Sequence, residues 1–365
     1  MNQIDINTIC ANRVTGKRLL RSLTLKAFQI KMSAEGQENL SGELQERKNG
    51  LVALESGLMI IINFLAFTGN MMVCWAVYRN QRLRTLPNIY VVTLAISDAL
   101  MAVLCMPLSV VLLVTGQWPF SGAVCHFQGF FCFFCALYSL LLMTATAVNR
   151  YFRVVKPNLY RKHFKVKSTF LSVVVITLFA ALGAGLSSMA QWATFIVHYG
   201  KVICFMNFKS PELDMGYIAY LDVFYIAIPI GIISFTYYKI FKNIKQHNRG
   251  MNNTRQGSIL RLNVEEVKIT KALFAAVLGF ILCWGPIAVI DLVDSYSSHQ
   301  LAIPRQLFLL YIYLGFGSSS INPVIYGVMN RAFRAEFLSL LTFWRRHNEV
   351  DLVRSFTVQS YQSEN

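Results

Sequence analysis

The sequence predicts an all-α protein, a seven-transmembrane helix bundle followed by a short amphipathic eighth helix. Three observations predict it. Of 365 residues, 55% are hydrophobic and only 14% charged, where soluble domains carry about a quarter charged residues. Seven apolar runs of roughly 20 residues recur along the chain, each long enough as a helix to match the hydrocarbon thickness of a bilayer. Lysine and arginine concentrate in alternate connections between these runs, which is the pattern that orients membrane helices.

The runs lie at about Ser56–Tyr78, Thr85–Val114, Pro119–Asn149, Ser168–Val197, Met215–Tyr238, Ala272–Ile290 and Gln306–Asn330. Only Asp98 in the second and Asp222 in the fifth carry a charge. The first loop holds Arg79, Arg82 and Arg84, and the third holds Arg153, Lys156, Arg161, Lys162, Lys165 and Lys167. The fifth loop runs from Lys239 to Lys271 with further basic residues between, and Arg331, Arg334, Arg345 and Arg346 follow the last run. The basic side is the cytoplasm, so the N-terminus is expected outside and the C-terminus inside, in a multi-pass protein of the plasma membrane. The net charge of +16 is then a topology signal with attraction to anionic lipid heads; no nucleic acid is expected as partner.

Three regions are expected. Residues 1–50 form an extracellular tail, of which 1–31 hold six basic residues and one acid, so that Met32 is a candidate for the true start. Residues 51–344 form the seven-helix domain with the eighth helix, and 345–365 a cytoplasmic tail. Asn39-Leu40-Ser41 is a glycosylation sequon on the outer side. After Tyr326, Phe333, Phe337, Leu340, Leu341 and Trp344 share one helical face opposite Arg331 and Arg334, the pattern of a helix lying in the membrane interface. Of eight cysteines, Cys74, Cys105, Cys132, Cys135 and Cys283 fall inside runs and read as packing residues. Cys125, at the outer end of the third run, and Cys204, in the outer loop before the fifth, face an oxidising compartment and are expected to form a disulfide.

Polar residues and prolines inside membrane helices mark functional positions. The runs carry Gly69-Asn70, Leu94-Ala95-Ile96-Ser97-Asp98, Ser139, Asn149-Arg150-Tyr151, Pro229 with Tyr237, Phe280-Ile-Leu-Cys-Trp284-Gly-Pro286 and Asn322-Pro323-Val-Ile-Tyr326. In this order, and with 25 residues from Cys125 to Arg150 and 20 from Glu266 to Pro286, the chain resembles the rhodopsin-like (class A) G-protein-coupled receptors from about Gly50 to Phe343. The stretches VYRNQRLRTLPNIYVVTLAISD, CHFQGF, AVNRY, IPRQLF and YGVMNRAFRAEF resemble those of melatonin receptors, including Asn149 where an aspartate usually precedes Arg-Tyr. The proline of NPVIY, the absence of tryptophan from the centre of the fourth run, Cys204-Phe-Met-Asn-Phe and Tyr225 depart from that branch. The resemblance therefore supports the fold and the branch without carrying the ligand across.

The rise of 1.5 Å per residue puts Arg150 about 37 Å from Cys125, at the inner face, and Glu266 about 30 Å below Pro286, at the same level. The resemblance implies that Arg150 and Glu266 pair at rest. It implies that the pair opens as the sixth span swings out to admit a heterotrimeric G protein, with Tyr237, Asn322, Pro323 and Tyr326 rearranging towards Arg150. Asp98 needs a partner, a proton or a cation; the resemblance implies an allosteric sodium ion held with Ser139, Asn70, Asn322 and Ser318, and no other metal or cofactor. Pro286 permits a kink, and Trp284 above Phe280 would couple a ligand to it. The ligand pocket is expected among Cys132, Phe133, Ala136, Tyr225, Trp284, Ile287, Ala288 and Phe308, with Asp291 and Asp222 near its rim. Cys132 stands where aminergic receptors carry an aspartate, and Gln306–Asn330 has no lysine for a retinal Schiff base. A small neutral molecule, such as a melatonin-like indole, or a short peptide is the expected ligand. Ser355, Thr357, Ser360 and Ser363 are expected substrates of a receptor kinase that recruits arrestin. A secondary transporter is the rival reading. It calls for repeated halves with matching broken helices, and no repeat is present. No run carries a nucleophile–base pair or metal-ligand spacing, so no enzyme is expected.

Overall fold

A computed structural model describes residues 35–251, 257–296, 303–340 and 342. Among the described residues, seven helical spans are long and apolar enough to cross a membrane: Asn49–Arg79, Leu86–Thr115, Gly122–Val155, Val166–Met189, Pro211–Gln246, Val267–Asp294 and Arg305–Met329. Each overlaps one predicted run. Large apolar side chains such as Phe64, Leu171 and Leu282 stand exposed on them, as befits helices whose outer solvent is lipid.

Local chemistry shapes the departures from straight rods. The second span is two helices, Leu86–Leu104 and Met106–Thr115, broken at Cys105. Pro107 follows two residues later and lacks the N–H that would continue the ladder. Gly116 ends it in the left-handed conformation, φ 69°, which glycine adopts without steric cost. The fifth span opens with a helix at Pro211–Leu221 and contains a π-helical turn, Asp222–Ala227, before continuing as the helix Ile228–Met251. The insertion rotates Tyr225 towards the fourth span.

One expectation needs correction. The fourth run was expected to stay helical to Val197, but its helix stops at Met189. Ala193–His198 is instead a strand, β1, paired antiparallel with β2 at Ile203–Phe208. Gln191 sits at φ 56° and turns the chain, and the alternation of buried Ala193 and Phe195 with exposed Thr194 and Ile196 is a strand period, not a helical one. The bundle thus carries one hairpin at the end that holds Cys125, called the outer end in keeping with the sequence expectation.

The segment expected as a tail at 1–50 contains ordered structure. Residues 35–45 form a helix. Leu44 is buried, and the Cβ of any residue replacing Gly200 would lie 3.1 Å from Leu40. This segment therefore packs onto the bundle. Asn39 is exposed on that helix. Residues 1–34, with Met32, lie outside the described residues.

The eighth helix occupies residues 331–340. Phe333 is buried and stacks on Tyr326 at 5.7 Å between ring centroids, while Arg331 and Arg334 are exposed. Leu341, Trp344 and the tail 345–365 lie outside the described residues.

Candidate functional site

A cavity of about 870 Å³ opens in the outer half. Its walls include Phe133 and Ala136 from the third span, Tyr225 and Asp222 from the fifth, and Trp284, Ile287, Ala288 and Asp291 from the sixth. Two residues expected in it lie elsewhere. Cys132, one position and about 100° round the helix from Phe133, is buried in a separate cluster with Cys105 and Cys135. Phe308 sits under the hairpin, edge-on to His198 at 5.1 Å and against Gly200. Tyr225 turns its hydroxyl away from the cavity, donating to the Phe179 carbonyl at 2.8 Å while its ring stacks on Phe179 at 4.5 Å. Gly183 makes this possible, because a Cβ there would come within 2.5 Å of the Tyr225 ring.

The hairpin roofs the cavity. Its second strand is tied to the third span by the Cys125–Cys204 disulfide. Gln128, fully buried, reinforces the tie: its Oε1 accepts from the Cys204 amide at 3.0 Å, and its Nε2 donates to the Cys105 carbonyl and the Ser109 hydroxyl. At the turn of the hairpin stands Lys201, 1% exposed. Its Nζ lies 2.8 Å from Asp291 Oδ1, 3.6 Å from Asp294 Oδ2 and 3.6 Å from the centre of the Phe205 ring. Tyr311 donates to the other oxygen of Asp291 at 3.0 Å.

A second charged latch closes the outer end beside it. Glu55, in the first span, accepts from Arg47 Nη1 at 2.5 Å and from both terminal nitrogens of Arg305, at the start of the seventh span. Arg47 also donates to the Leu44 carbonyl at 2.7 Å, which pins the helix at 35–45 over the bundle. The sequence reading missed Lys201, Glu55, Arg47, Arg305, Ser319 and Gln128.

From the cavity floor, Trp284 stacks on Phe280 at 5.6 Å and donates its indole N–H to Ser318 at 3.0 Å. Pro286 lies within the same helix, where it removes a ladder hydrogen bond. Ser318 was expected beside Asp98. One residue advances the helix by about 100°, so Ser319 takes that place, donating to Asp98 Oδ1 at 2.9 Å, and Asn322 donates to Oδ2 at 3.2 Å. Asn70 joins by donating to the Ser319 carbonyl at 2.9 Å. Ser139 donates to the Cys135 carbonyl of its own helix at 2.8 Å. A buried carboxylate beside the Ser319 hydroxyl and the Asn322 amide is hard oxygen chemistry and fits a sodium ion.

At the inner end, Tyr237 and Tyr326 face one small void bordered by Tyr90, Met143 and Leu273. Arg150 is 2% exposed and Asn149 is fully buried. Neither polar atom of the Asn149 side chain has a hydrogen-bond partner among the described residues. Tyr151 points to the neighbouring span, 6.4 Å from Phe235. Pro323 fits against Gly69, where a Cβ would come within 2.9 Å. The side chain of Glu266 lies outside the described residues.

A ligand-sized outer cavity, a packed aromatic column and an arginine at the inner mouth define a membrane-spanning receptor. The family model of the seven-transmembrane receptors of the rhodopsin family matches residues 69–326, and the chain belongs to that family. It is 28% identical to the mouse (Mus musculus) melatonin receptor type 1B over 79% of this chain and 78% of that one. It is 26% identical to the rat (Rattus norvegicus) neuropeptide FF receptor 2 over 78% and 72% respectively. Squid rhodopsin superposes with a TM-score of 0.71 at 20% identity, covering 81% of this chain and 87% of that structure, which shows the shared fold. The chain is a multi-pass membrane receptor of the G-protein-coupled class and not an enzyme.

Proposed function

We propose that the chain signals from outside the cell to a heterotrimeric G protein, with the N-terminus outside, the basic loops in the cytoplasm and the outer cavity as ligand pocket. The observation that carries this reading is the continuous packing from cavity to inner mouth. Trp284 forms part of the cavity wall and stacks on Phe280. Phe280 belongs to the same buried cluster as Tyr237 and Tyr326. A ligand that shifts Trp284 moves one element of a close-packed column, and packed columns rearrange between discrete states instead of yielding smoothly.

The pocket size suits a small molecule or short peptide, in keeping with relatives named for melatonin and for a neuropeptide. Arg150 is the contact for the G protein, with Asn149 and Tyr151 framing it and Glu266 as its resting partner. Asn149 offers no carboxylate, so restraint on Arg150 falls to Glu266, and Glu266→Ala raises basal signalling. Asp98, Ser319, Asn322 and Asn70 hold a sodium ion, which supplies a positive charge that favours the resting packing; Asp98→Asn removes sodium sensitivity of agonist binding. Glycosylation at Asn39, and phosphorylation of the tail by a receptor kinase with recruitment of arrestin, complete the reading.

Expression in cells with a G-protein dissociation readout tests it. Ligand-independent dissociation that disappears in Arg150→Ala supports the receptor. Substrate uptake or current with no G-protein response would overturn it in favour of a transporter.

A further inference from the structure

The geometry points to a cation box at the outer end of the cavity, occupied at rest by Lys201, that takes the protonated amine or guanidinium of an incoming ligand. The inference rests on the reading of the large cavity as the ligand pocket. The box has two carboxylates, Asp291 and Asp294, and aromatic faces from Phe205 and Tyr311, whose ring centres lie 3.6 Å and 5.1 Å from the ammonium. Carboxylates with aromatic walls are the chemistry that holds an alkylammonium or guanidinium group.

The charge balance of the cavity favours a cation over an anion. Its described walls carry Asp214, Asp222, Asp291 and Asp294 against Lys201 and Lys209. Without Lys201 the imbalance grows, and a buried carboxylate pair needs a compensating charge. An incoming cation meets carboxylates already partly withdrawn from water, 24% exposed at Asp291 and 11% at Asp294, so the exchange of one cation for another adds less new desolvation than binding at an open surface.

Lys201 is also placed to leave. It stands in the turn joining β1 to β2, and its four-carbon stem lets the ammonium swing out without moving a helix. Its neighbour Val202 is held at φ 55°, a left-handed conformation that a β-branched residue adopts only under strain. The apolar remainder of the ligand would then extend towards Trp284, seven residues below Asp291 on the same helix.

The test is a thermal-unfolding titration of the purified full chain in lipid nanodiscs, using benzylammonium, its neutral analogue benzyl alcohol, and benzoate. Benzylammonium should bind Lys201→Ala about tenfold more tightly than the wild type, where it must first displace the lysine. Benzyl alcohol should not distinguish the two, and the gain should vanish in Lys201→Ala/Asp291→Asn. Equal benzylammonium binding by wild type and Lys201→Ala would overturn the box. So would retention of the gain in the double variant, or a benzoate effect present in the wild type and lost in Lys201→Ala. If Lys201→Ala does not fold, Lys201→Gln, whose amide still donates to Asp291, carries the same titration. No G protein takes part, so a failed titration leaves the signalling reading standing. Loss of signalling with an intact titration overturns that reading alone.

Discussion

The two ends of the bundle are built differently. The outer end encloses about 870 Å³ and is closed by a disulfide and buried ion pairs. The inner end is packed: Tyr237 meets Phe274 at 5.0 Å and Tyr326 stacks on Phe333, with only a small void between the two tyrosines. An end that admits a ligand cannot fill itself with side chains, so cross-links hold its segments in place. An end that switches between two packings needs close contact in each and few fixed bonds. Variants at the outer end should therefore cost stability, and variants at the inner end should cost signalling.

The largest effect is expected at Glu55. Glu55→Ala leaves Arg47 and Arg305 buried without their carboxylate, and loss of one member of a buried ion cluster costs about 3–5 kcal/mol. Thermal unfolding in nanodiscs should show a marked fall, and an unchanged midpoint would break the comparison. Cys204→Ser should follow, at about 2–4 kcal/mol, seen as reduced surface receptor and a lower unfolding midpoint. Gly183→Ala drives a methyl into the Tyr225 ring and should cost about 1–3 kcal/mol through overpacking. Ser318→Ala removes the acceptor of the Trp284 indole, about 1 kcal/mol, with a change in basal signalling at matched surface level. Tyr237→Phe at the inner end should leave the unfolding midpoint within about 0.5 kcal/mol of wild type while lowering G-protein dissociation. A large loss of stability there would erase the distinction between the two ends.

The same contrast governs what could be read from the sequence. The inner end and the mid-membrane network were legible, because their polar residues interrupt apolar runs and so announce themselves. Asp98 and Asn322 stand out in this way and meet at 3.2 Å in the bundle. The outer latch was not legible, because Glu55 lies one residue before the first predicted run and Arg305 one before the seventh. A charge in that position reads as solvated until the fold brings the two together, 250 residues apart. Lys201 was hidden in a loop that looked poor in basic residues, and only the hairpin carries it over Asp291. The choice of Ser318 over Ser319 failed for a simpler reason: adjacent serines differ by about 100° of helix rotation, and composition does not say which faces Asp98. The fourth span was drawn too long because the apolar residues of β1 continue its hydrophobic run.

The central claim is that the inner mouth opens, by movement of the sixth span away from the third, to admit a G protein at Arg150. The most direct measurement is the distance between spin labels at Lys156→Cys, beyond the inner end of the third span, and Lys268→Cys, at the inner end of the sixth. It is made in nanodiscs with and without the G protein that the cellular readout identifies. The account predicts that the distance lengthens by several ångströms when the G protein binds, and that Arg150→Ala abolishes the change. An unchanged distance with the G protein bound would contradict it.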